Sequence, residues 1–314
     1  MPEFSVIIPC RDAAATVPSA LASLRAQTCQ DWEAICIDDG SCDDTAQVID
    51  RVARLDDRVR RVTIAPGGPG LARNVGALTH AGGRLIAFLD ADDLWRPDKL
   101  ETVAAVFAAR VAPDAVFAQT LTFSDDPAFR PLPARKRGAD RPLDALSVLT
   151  DNPVATMSNM TVRRDVFQHT GGFDVRLSRG EDVEWLIRLI ASGAVIRKID
   201  QTLTLRRAPG APGAREILAQ RRGWLEAVET ARILDVAPSR ENLARAEAIQ
   251  LRRLAARALG IETPGTLALR YAALGLVRSP AAFLSDFPSA LHTLVLIAAL
   301  PLTPRGLRKT RLVR

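Results

Sequence analysis

Arg84-Leu85-Ile86-Ala87-Phe88-Leu89-Asp90-Ala91-Asp92-Asp93 decides the fold. Residues 84–89 are apolar almost throughout, as in a strand buried on both faces, and the run ends in three acids within four positions. The same unit recurs upstream. Residues 70–80 have helical spacing, with Leu71, Val75 and Leu78 on one stripe and Gly82-Gly83 closing it. Residues 59–64 read as a strand, 45–55 as a helix and 32–37 as a strand. Residues 15–27 read as a helix, with Val17, Leu21 and Leu24 at helical spacing, and 4–9 as a strand ended by Pro9. Four such units in series predict an α/β fold: an open, mostly parallel, Rossmann-like sheet with helices on both faces.

Downstream the pattern loosens. Residues 123–142 are rich in Pro, Arg and Asp and read as a surface loop. Residues 171–174 form a turn, and 179–191 a helix with Trp185, Leu186 and Leu189 on its apolar side. A last strand covers 203–207, and Ala208-Pro209-Gly210-Ala211-Pro212-Gly213 reads as a linker. Beyond it the chain is helical. Ile217, Leu218, Trp224, Leu225 and Val228 form one stripe, and Leu243, Leu251, Leu254 and Leu259 another. The organisation expected is an α/β catalytic domain over 1–207 and a helical extension over 214–314.

The 314 residues, 47% of them hydrophobic, suffice for a sizeable core. Charge is uneven: residues 203–314 hold eighteen Lys/Arg against eight Asp/Glu, a surplus of ten in a chain whose net charge is +6. The rest is therefore acidic, which suits a metal and phosphate site built from carboxylates. The basic end suits an anionic surface, and the partner expected is a membrane, not nucleic acid. The opening Met1-Pro2-Glu3 has no basic stretch and the Val6-Ile7-Ile8 run is short, so no signal peptide is expected and the location expected is cytoplasmic. The apolar run 291–300 is too short to span a bilayer, which takes ~20 residues. With Arg305, Arg308, Lys309, Arg311 and Arg314 after it, it predicts peripheral attachment at the inner face of the cell membrane. The alternative is a buried helix packed on residues 267–277. The four cysteines, at 10, 29, 36 and 42, have neither the C-x-x-C spacing nor a His cluster, which argues against zinc and disulfides.

The residues that could carry chemistry all follow strands, where open α/β sheets bind ligands. In Asp90-Ala91-Asp92, one carboxylate can hold Mg²⁺ or Mn²⁺ across a diphosphate while the other bonds a ribose hydroxyl. Asp93 reads as a helix cap before Pro97. Asp38-Asp39-Gly40-Ser41 puts two acids at the end of a buried strand, where one can accept from a base N–H; Ser41 and Asp43 read as caps. Arg73, in Gly70-x-x-Arg73-Asn74-x-Gly76, lies near an expected helix start, where either a bound phosphate or a plain surface position would explain it. Glu181-Asp182 opens a helix, which acids also do for purely structural reasons.

Taken together, these pieces resemble glycosyltransferase family 2, with its GT-A fold. The matching residues are Val6-Ile7-Ile8-Pro9, Asp38 to Thr45, Gly70 to Gly76, Asp90-Ala91-Asp92-Asp93, Gly171-Gly172-Phe173-Asp174 and Glu181-Asp182, in order over about residues 3–205. The resemblance implies inverting transfer of a hexosyl group from a nucleoside-diphosphate sugar, UDP-linked in the first instance, to a hydroxyl of a glycan or lipid-linked acceptor in surface-polysaccharide synthesis. It implies that Pro9, Arg11 and Arg73 line the nucleotide, with Ala91 beside them in the acidic motif. Asp39 would bind the base, Asp90 the ribose, Asp92 a Mn²⁺ or Mg²⁺ ion, and Asp182 would be the general base with Glu181 an acceptor ligand or support. The chain departs from the family in two places. Arg11-Asp12 stands where an aromatic and Asn are usual, and Arg206-Arg207-Ala208 supplies no His near the metal; these arginines are expected to face the diphosphate instead.

Three other readings fit these residues less well. A dinucleotide-binding oxidoreductase fits Gly68-Pro69-Gly70 but fails at Arg73, where the third glycine should permit close packing. A sugar nucleotidyltransferase needs a Gly-rich loop after the first strand, and Pro9-Cys10-Arg11-Asp12 has no Gly. A catalytically inactive nucleotide-sugar-binding protein of this fold would have no need of acids at 39, 90, 92 and 182.

Overall fold

The computed structural model describes residues 1–125, 143–210, 212–261 and 265–299. The first part contains β1 (Phe4–Cys10), α1 (Val17–Arg25), β2 (Trp32–Asp38), α2 (Thr45–Ala53), β3 (Val59–Thr63), α3 (Gly68–Asn74) and β4 (Leu85–Phe88). The middle holds β5 (Leu94–Trp95), α4 (Lys99–Phe107), β6 (Ala115–Phe123), α5 (Ala145–Thr150), β7 (Met160–Arg163) and α6 (Arg164–His169). Then come α7 (Glu181–Ala191), β8 (Ile196–Arg207), α8 (Ala214–Ile233), α9 (Arg240–Ala258), α10 (Gly265–Arg278), α11 (Pro280–Phe283) and α12 (Phe287–Ala299).

One sheet runs β3-β2-β1-β4-β7-β6-β8-β5. Its first half is parallel, with β1 between β2 and β4 and β3 outside β2. These are the four repeated units. The second half is mixed: β7 is antiparallel to β4 and β6, β5 is antiparallel to β8, and β6 and β8 are parallel. Antiparallel neighbours need no helical crossover, so this half gives no repeating strand–helix rhythm to read.

Alternation along β1 builds two cores. Phe4, Val6, Ile8 and Cys10 face α1 and α4 and join Val17, Leu21, Leu24 and Leu100. Ile7 faces the other way and joins Phe88, Trp185 and, from α8, Trp224 and Val228. The expected boundary between 207 and 214 thus lies in a connection whose two sides share one apolar cluster.

Several expected helix faces differ. In α3 and the π-helical turn Val75–His80 that continues it, Ala72, Gly76 and Ala77 are buried while Leu78 is 40% exposed. A Cβ on Gly76 would come within 2.5 Å of Ile7, so this helix lies on the sheet too closely for larger residues. On α8, Ile217, Trp224, Ala227, Val228 and Ala231 are buried, whereas Leu218 and Leu225 are exposed. Small residues again take the inward positions of a close crossing. Leu251, Leu254 and Leu259 are buried as expected. On α12, Ala290 and Thr293 face inward, and Phe287, Leu291 and Val295 are exposed. The expected loop over 126–142 and the basic tail beyond 300 lie outside the described residues. Among the described residues no helix is long and apolar enough to cross a membrane, and the four cysteines are free.

Asp93 is not a helix cap. Asp98 occupies the cap position of α4 without a side-chain bond, because β5 intervenes and pairs with β8. Lys99, the first residue of α4, is wholly buried. Its Nζ lies 3.2 Å from Thr204 Oγ1 and 5.1 Å from the Trp95 ring centroid, and burial lowers its pKa to about 7. A base depressed in the fold costs stability fully below its folded pKa, and the cost fades as pH rises toward its ordinary value. Lys99→Met keeps the apolar stem and is expected to stabilise the protein at pH 6 by about 0.5–2 kcal/mol. The gain should shrink by pH 9, as denaturant unfolding at the two pH values would show; a destabilised variant at pH 6 would contradict the account.

Candidate active site

Three loops at the carboxyl ends of β1, β2 and β4 meet at one edge of the sheet. The first two are laced together. Asp12 N–H donates to Ser41 Oγ (3.1 Å), Cys42 N–H to Asp12 Oδ1 (2.7 Å), Ala13 N–H to Thr45 Oγ1 (2.7 Å) and Ala14 N–H to Asp43 Oδ2 (3.0 Å). Ser41 therefore serves the neighbouring loop; Asp43 does so too, and also accepts from Thr45 N–H (3.0 Å) at the start of α2. Gly40 has φ +66°, and a Cβ there would sit 2.6 Å from Pro66. Asp39 is buried and accepts from Gly67 N–H (2.6 Å) and Gly68 N–H (2.9 Å), one on each carboxylate oxygen. Arg11 Nη1 donates to the Asp39 carbonyl (3.0 Å). Asp39 thus holds the loop that leads into α3.

Arg73 lies in the last turn of α3, not at the helix start, and it is buried. Its Nη2 bonds Asp90 Oδ1 at 2.7 Å, and its Nη1 bonds Glu181 Oε1 at 2.9 Å. The next residue, Asn74, is bonded both ways to the Phe173 backbone, each at 2.8 Å. The adjoining turn, with Gly171 and Gly172 at φ +74° and +67°, is held by Arg188, which donates to the Gly172 carbonyl at 2.6 Å and pairs with Glu184. Phe173 also packs against Phe88, Phe167 and Trp185. The Arg73-Asn74 pair thus ties α3 to β4, to the Gly171-Gly172 turn and to the start of α7.

α7 begins after Gly180, at φ +84°. A Cβ on Gly223 of α8 would stand 2.0 Å from the Arg179 carbonyl, so α8 lies directly against the start of α7. Glu181 is buried on Arg73, whereas Asp182 is half-buried and lines the cleft. The cleft has a volume of about 1060 Å³; Pro9, Arg11, Arg73, Asp90, Ala91, Asp92, Glu181 and Asp182 line it, and the buried Asp39 is not among its lining residues.

The carboxylates differ electrostatically. Burial opposes the Asp90 charge, but Arg73 more than offsets this and holds its pKa below the ordinary value; Thr156 Oγ1 also donates to it at 3.1 Å. Asp92 is exposed by area yet sits inside the cleft, and desolvation there, then the Asp90 charge, raise its pKa. No described side chain pairs with it. Asp93 accepts the Arg207 N–H at 2.8 Å, pinning the end of β8, and is pushed up to about 7 by burial and Asp90. Asp182 is raised to about 6 by burial, then by Glu181.

The sequence reading missed Thr156 and Ser158, which bond the Asp90 carboxylate and its N–H. It also missed the cleft-lining residues Trp224, Gln250, Arg253 and Arg257, which come from α8 and α9. Local periodicity carries no signal for either.

The family model described as Glycosyl transferase family 2 matches residues 5–171, which stops short of Glu181-Asp182. The UDP-Glc:alpha-D-GlcNAc-diphosphoundecaprenol beta-1,3-glucosyltransferase WfgD of Escherichia coli is 40% identical over 99 residues, 31% of this chain and 38% of that protein. The chain spans only about 33–40% of the length of such curated relatives. S. aureus TarS 1-349 in complex with UDP superposes with a TM-score of 0.55 at 17% identity over 91% of both chains. The mannosyltransferase PcManGT of Pyrobaculum calidifontis, in complex with GDP-Man and Mn²⁺, gives 0.57 at 21% identity over 99% of this chain and 84% of that one. These two likenesses show the GT-A fold.

Arg73→Met would leave Glu181 and Asp90 buried without their cation. The expected loss is about 3–5 kcal/mol at pH 8, the usual cost of breaking a buried pair from one side. Asp90 carries the depressed pKa, so the stabilisation it draws from Arg73 is present at neutral pH and disappears as pH falls through that pKa. In the variant Asp90 keeps the burial that opposes its charge without the Arg73 that offsets it, so it takes a proton above the ordinary value of 3.8 and the deficit should narrow by pH 4. Equal deficits in denaturant unfolding at both pH values would contradict the clasp.

Proposed function

This chain belongs to glycosyl transferase family 2, and from that premise we infer that its cleft transfers a sugar, with inversion, from a nucleoside-diphosphate sugar to an acceptor hydroxyl. The observation that carries the reading is the juxtaposition of the Asp90-Ala91-Asp92 strand end and Asp182 in one cleft, joined through Arg73 and Glu181. UDP is the first nucleotide to test, since UDP and UDP-GlcNAc complexes occur among the structural neighbours, with GDP second. A glycan or lipid-linked acceptor agrees with the activity in the WfgD name.

Asp182 takes the proton of the acceptor hydroxyl as its oxygen attacks the anomeric carbon and the bond to the diphosphate breaks. A base with a pKa of about 6 is ionised at neutral pH yet still basic enough to assist. Glu181, paired with Arg73, supports the helix start. Asp90 faces the ribose and Asp39 the base, with Pro9, Arg11 and Arg73 along the nucleotide. Asp92 fits a divalent cation: it is a hard oxygen donor, unpaired by any described side chain, and disfavoured as a bare charge. Among the described residues no group of three or more acids, His or Cys could hold a metal, so Asp92 would share Mn²⁺ or Mg²⁺ with the diphosphate. The ion would stabilise the charge of the leaving diphosphate.

The exposed Phe287, Leu291 and Val295 of α12, with the basic residues that follow in sequence, support peripheral attachment to the inner membrane face. The full chain is expected to co-float with phosphatidylglycerol vesicles at low salt; recovery only in the soluble fraction would remove this part.

Turnover should fall as pH drops through about 6, because the base is then protonated. Asp182→Asn should lower turnover roughly 10²-fold or more and abolish that acid limb, with donor affinity nearly unchanged. Asp92→Asn should weaken nucleotide binding only when Mn²⁺ or Mg²⁺ is present, and Asp39→Ala with or without it. Normal turnover in both Asp182→Asn and Glu181→Gln, across UDP-, GDP- and dTDP-sugars that the wild type uses, would remove this helix from the chemistry.

A further inference from the structure

Part of the cleft wall is basic. Arg179 stands just before Gly180, Arg206 is the last residue but one of β8, and Arg257 belongs to α9; all three line the cleft that holds Asp182. Arg179 Nη2 and Arg257 Nη2 both lie 3.3 Å from the same atom, Glu216 Oε1. Arg257 is also bonded to the Gln220 side chain. Arg206 has no hydrogen bond or ion pair among the described side chains. Two guanidinium groups thus share a single carboxylate, and the third has no side-chain partner among the described residues. Arg253, on the same wall, differs in being matched by Asp151 and the Thr150 carbonyl.

Such an arrangement is electrostatically costly. The Arg257 pKa is held below its ordinary value, first by burial and then, although Glu216 opposes this, by the charges of Arg179 and Arg206. An anion between them would relieve both the desolvation and the repulsion. The arginine fork matches phosphate oxygens two at a time, which lysine does not do.

The donor side accounts for one member of this group: Arg206 acts electrostatically on Asp90 and Asp92, whereas Arg179 and Arg257 are held by Glu216 on α8. Arg206 is the member that acts on both sides. The remaining two belong to the wall made by the α7 start, α8 and α9, next to Trp224 and Leu254.

We propose that Arg179, Arg206 and Arg257 form a second anion subsite, which holds a phosphate or diphosphate group carried by the acceptor. This rests on the reading of the cleft as a sugar-transfer site. The acceptor is then not a neutral sugar but a phosphorylated one, either attached through phosphate to a lipid or carrying phosphate in a soluble glycan.

The test follows melting of the full chain with phenyl phosphate and farnesyl phosphate as probes, with and without saturating UDP or GDP and Mg²⁺. Both probes should raise Tm, and should still do so with the nucleotide bound. Arg257→Gln should weaken the apparent affinity for phenyl phosphate at least fivefold and leave nucleotide affinity within twofold. Arg179→Gln, at a side chain that is half exposed and safe for the fold, should do the same. Tenfold tighter binding of farnesyl phosphate than phenyl phosphate assigns the group to a lipid; equal binding assigns it to a soluble glycan. If neither nucleotide binds but arginine-dependent phosphate binding persists, the transfer reading fails and the subsite stands. No shift with phenyl phosphate, loss of the shift once nucleotide is bound, or equal weakening of nucleotide and phosphate in Arg257→Gln would each overturn the subsite.

Discussion

The pairing of Arg73 with Asp90 and Glu181 is the constraint on which the site depends. One buried cation lies between two acids from distant parts of the chain, 17 and 108 residues away. A guanidinium is well suited to this: it stays charged when buried and presents donors in two directions at fixed separation. It sets the strand end that carries Asp92 relative to the helix start that carries Asp182. It also divides the carboxylates by environment. Asp90 is kept ionised, while Asp92 and Asp182, without a full partner, are raised by the cleft. A cluster of like-type acids thereby acquires distinct chemical characters from one neighbour.

The small residues do the complementary work of closeness. Ala72 and Gly76 let α3 lie against β1, which brings Arg73 within reach of Asp90. Gly180 and Gly223 let α8 lie against the start of α7. Hydrogen bonds then fix what packing has brought near: Asn74 on Phe173, Arg188 on the Gly171-Gly172 turn, Asp39 on the loop before α3. Position in this site comes from side chains bonded to backbone more than from regular structure, which is why its loops are ordered without being helices or strands.

Legibility followed the range of the interaction. The parallel half of the sheet was readable because each strand is a continuous apolar run and each helix has its own stripe, a signal carried within a dozen residues. The acids at strand ends were readable for the same reason. The antiparallel half was not, since β5, with only Leu94 and Trp95, and β7 are short and take their pairing from neighbours far away in sequence. Asp93 looked like a cap because nothing local reveals that β5 comes between it and α4. Leu71, Val75 and Leu78 made a plausible stripe, yet the tight approach to Ile7 selected Ala and Gly for the inner face; hydrophobicity alone ranks these positions wrongly. The charge surplus after residue 203 was visible as a number, but its placement in the cleft wall required the crossing of α8 over α7. The roles assigned to Asp39, Asp90, Asp92 and Asp182 still rest on resemblance together with the environments described above.

The contact between Gly223 and the Arg179 carbonyl has a consequence for how such chains diversify. With backbone against backbone, the helical region is a structural part of the α/β unit and not an appendage that recombination could swap freely. A replacement segment would have to present a glycine at the crossing, or else displace the helix start that carries Asp182. The side chains at either side of that point, on α5, α8 and α9, line the cleft and can change without disturbing the crossing. A point substitution beside the crossing alters the cleft wall without moving the helix start, whereas exchange of the whole helical module would disturb it.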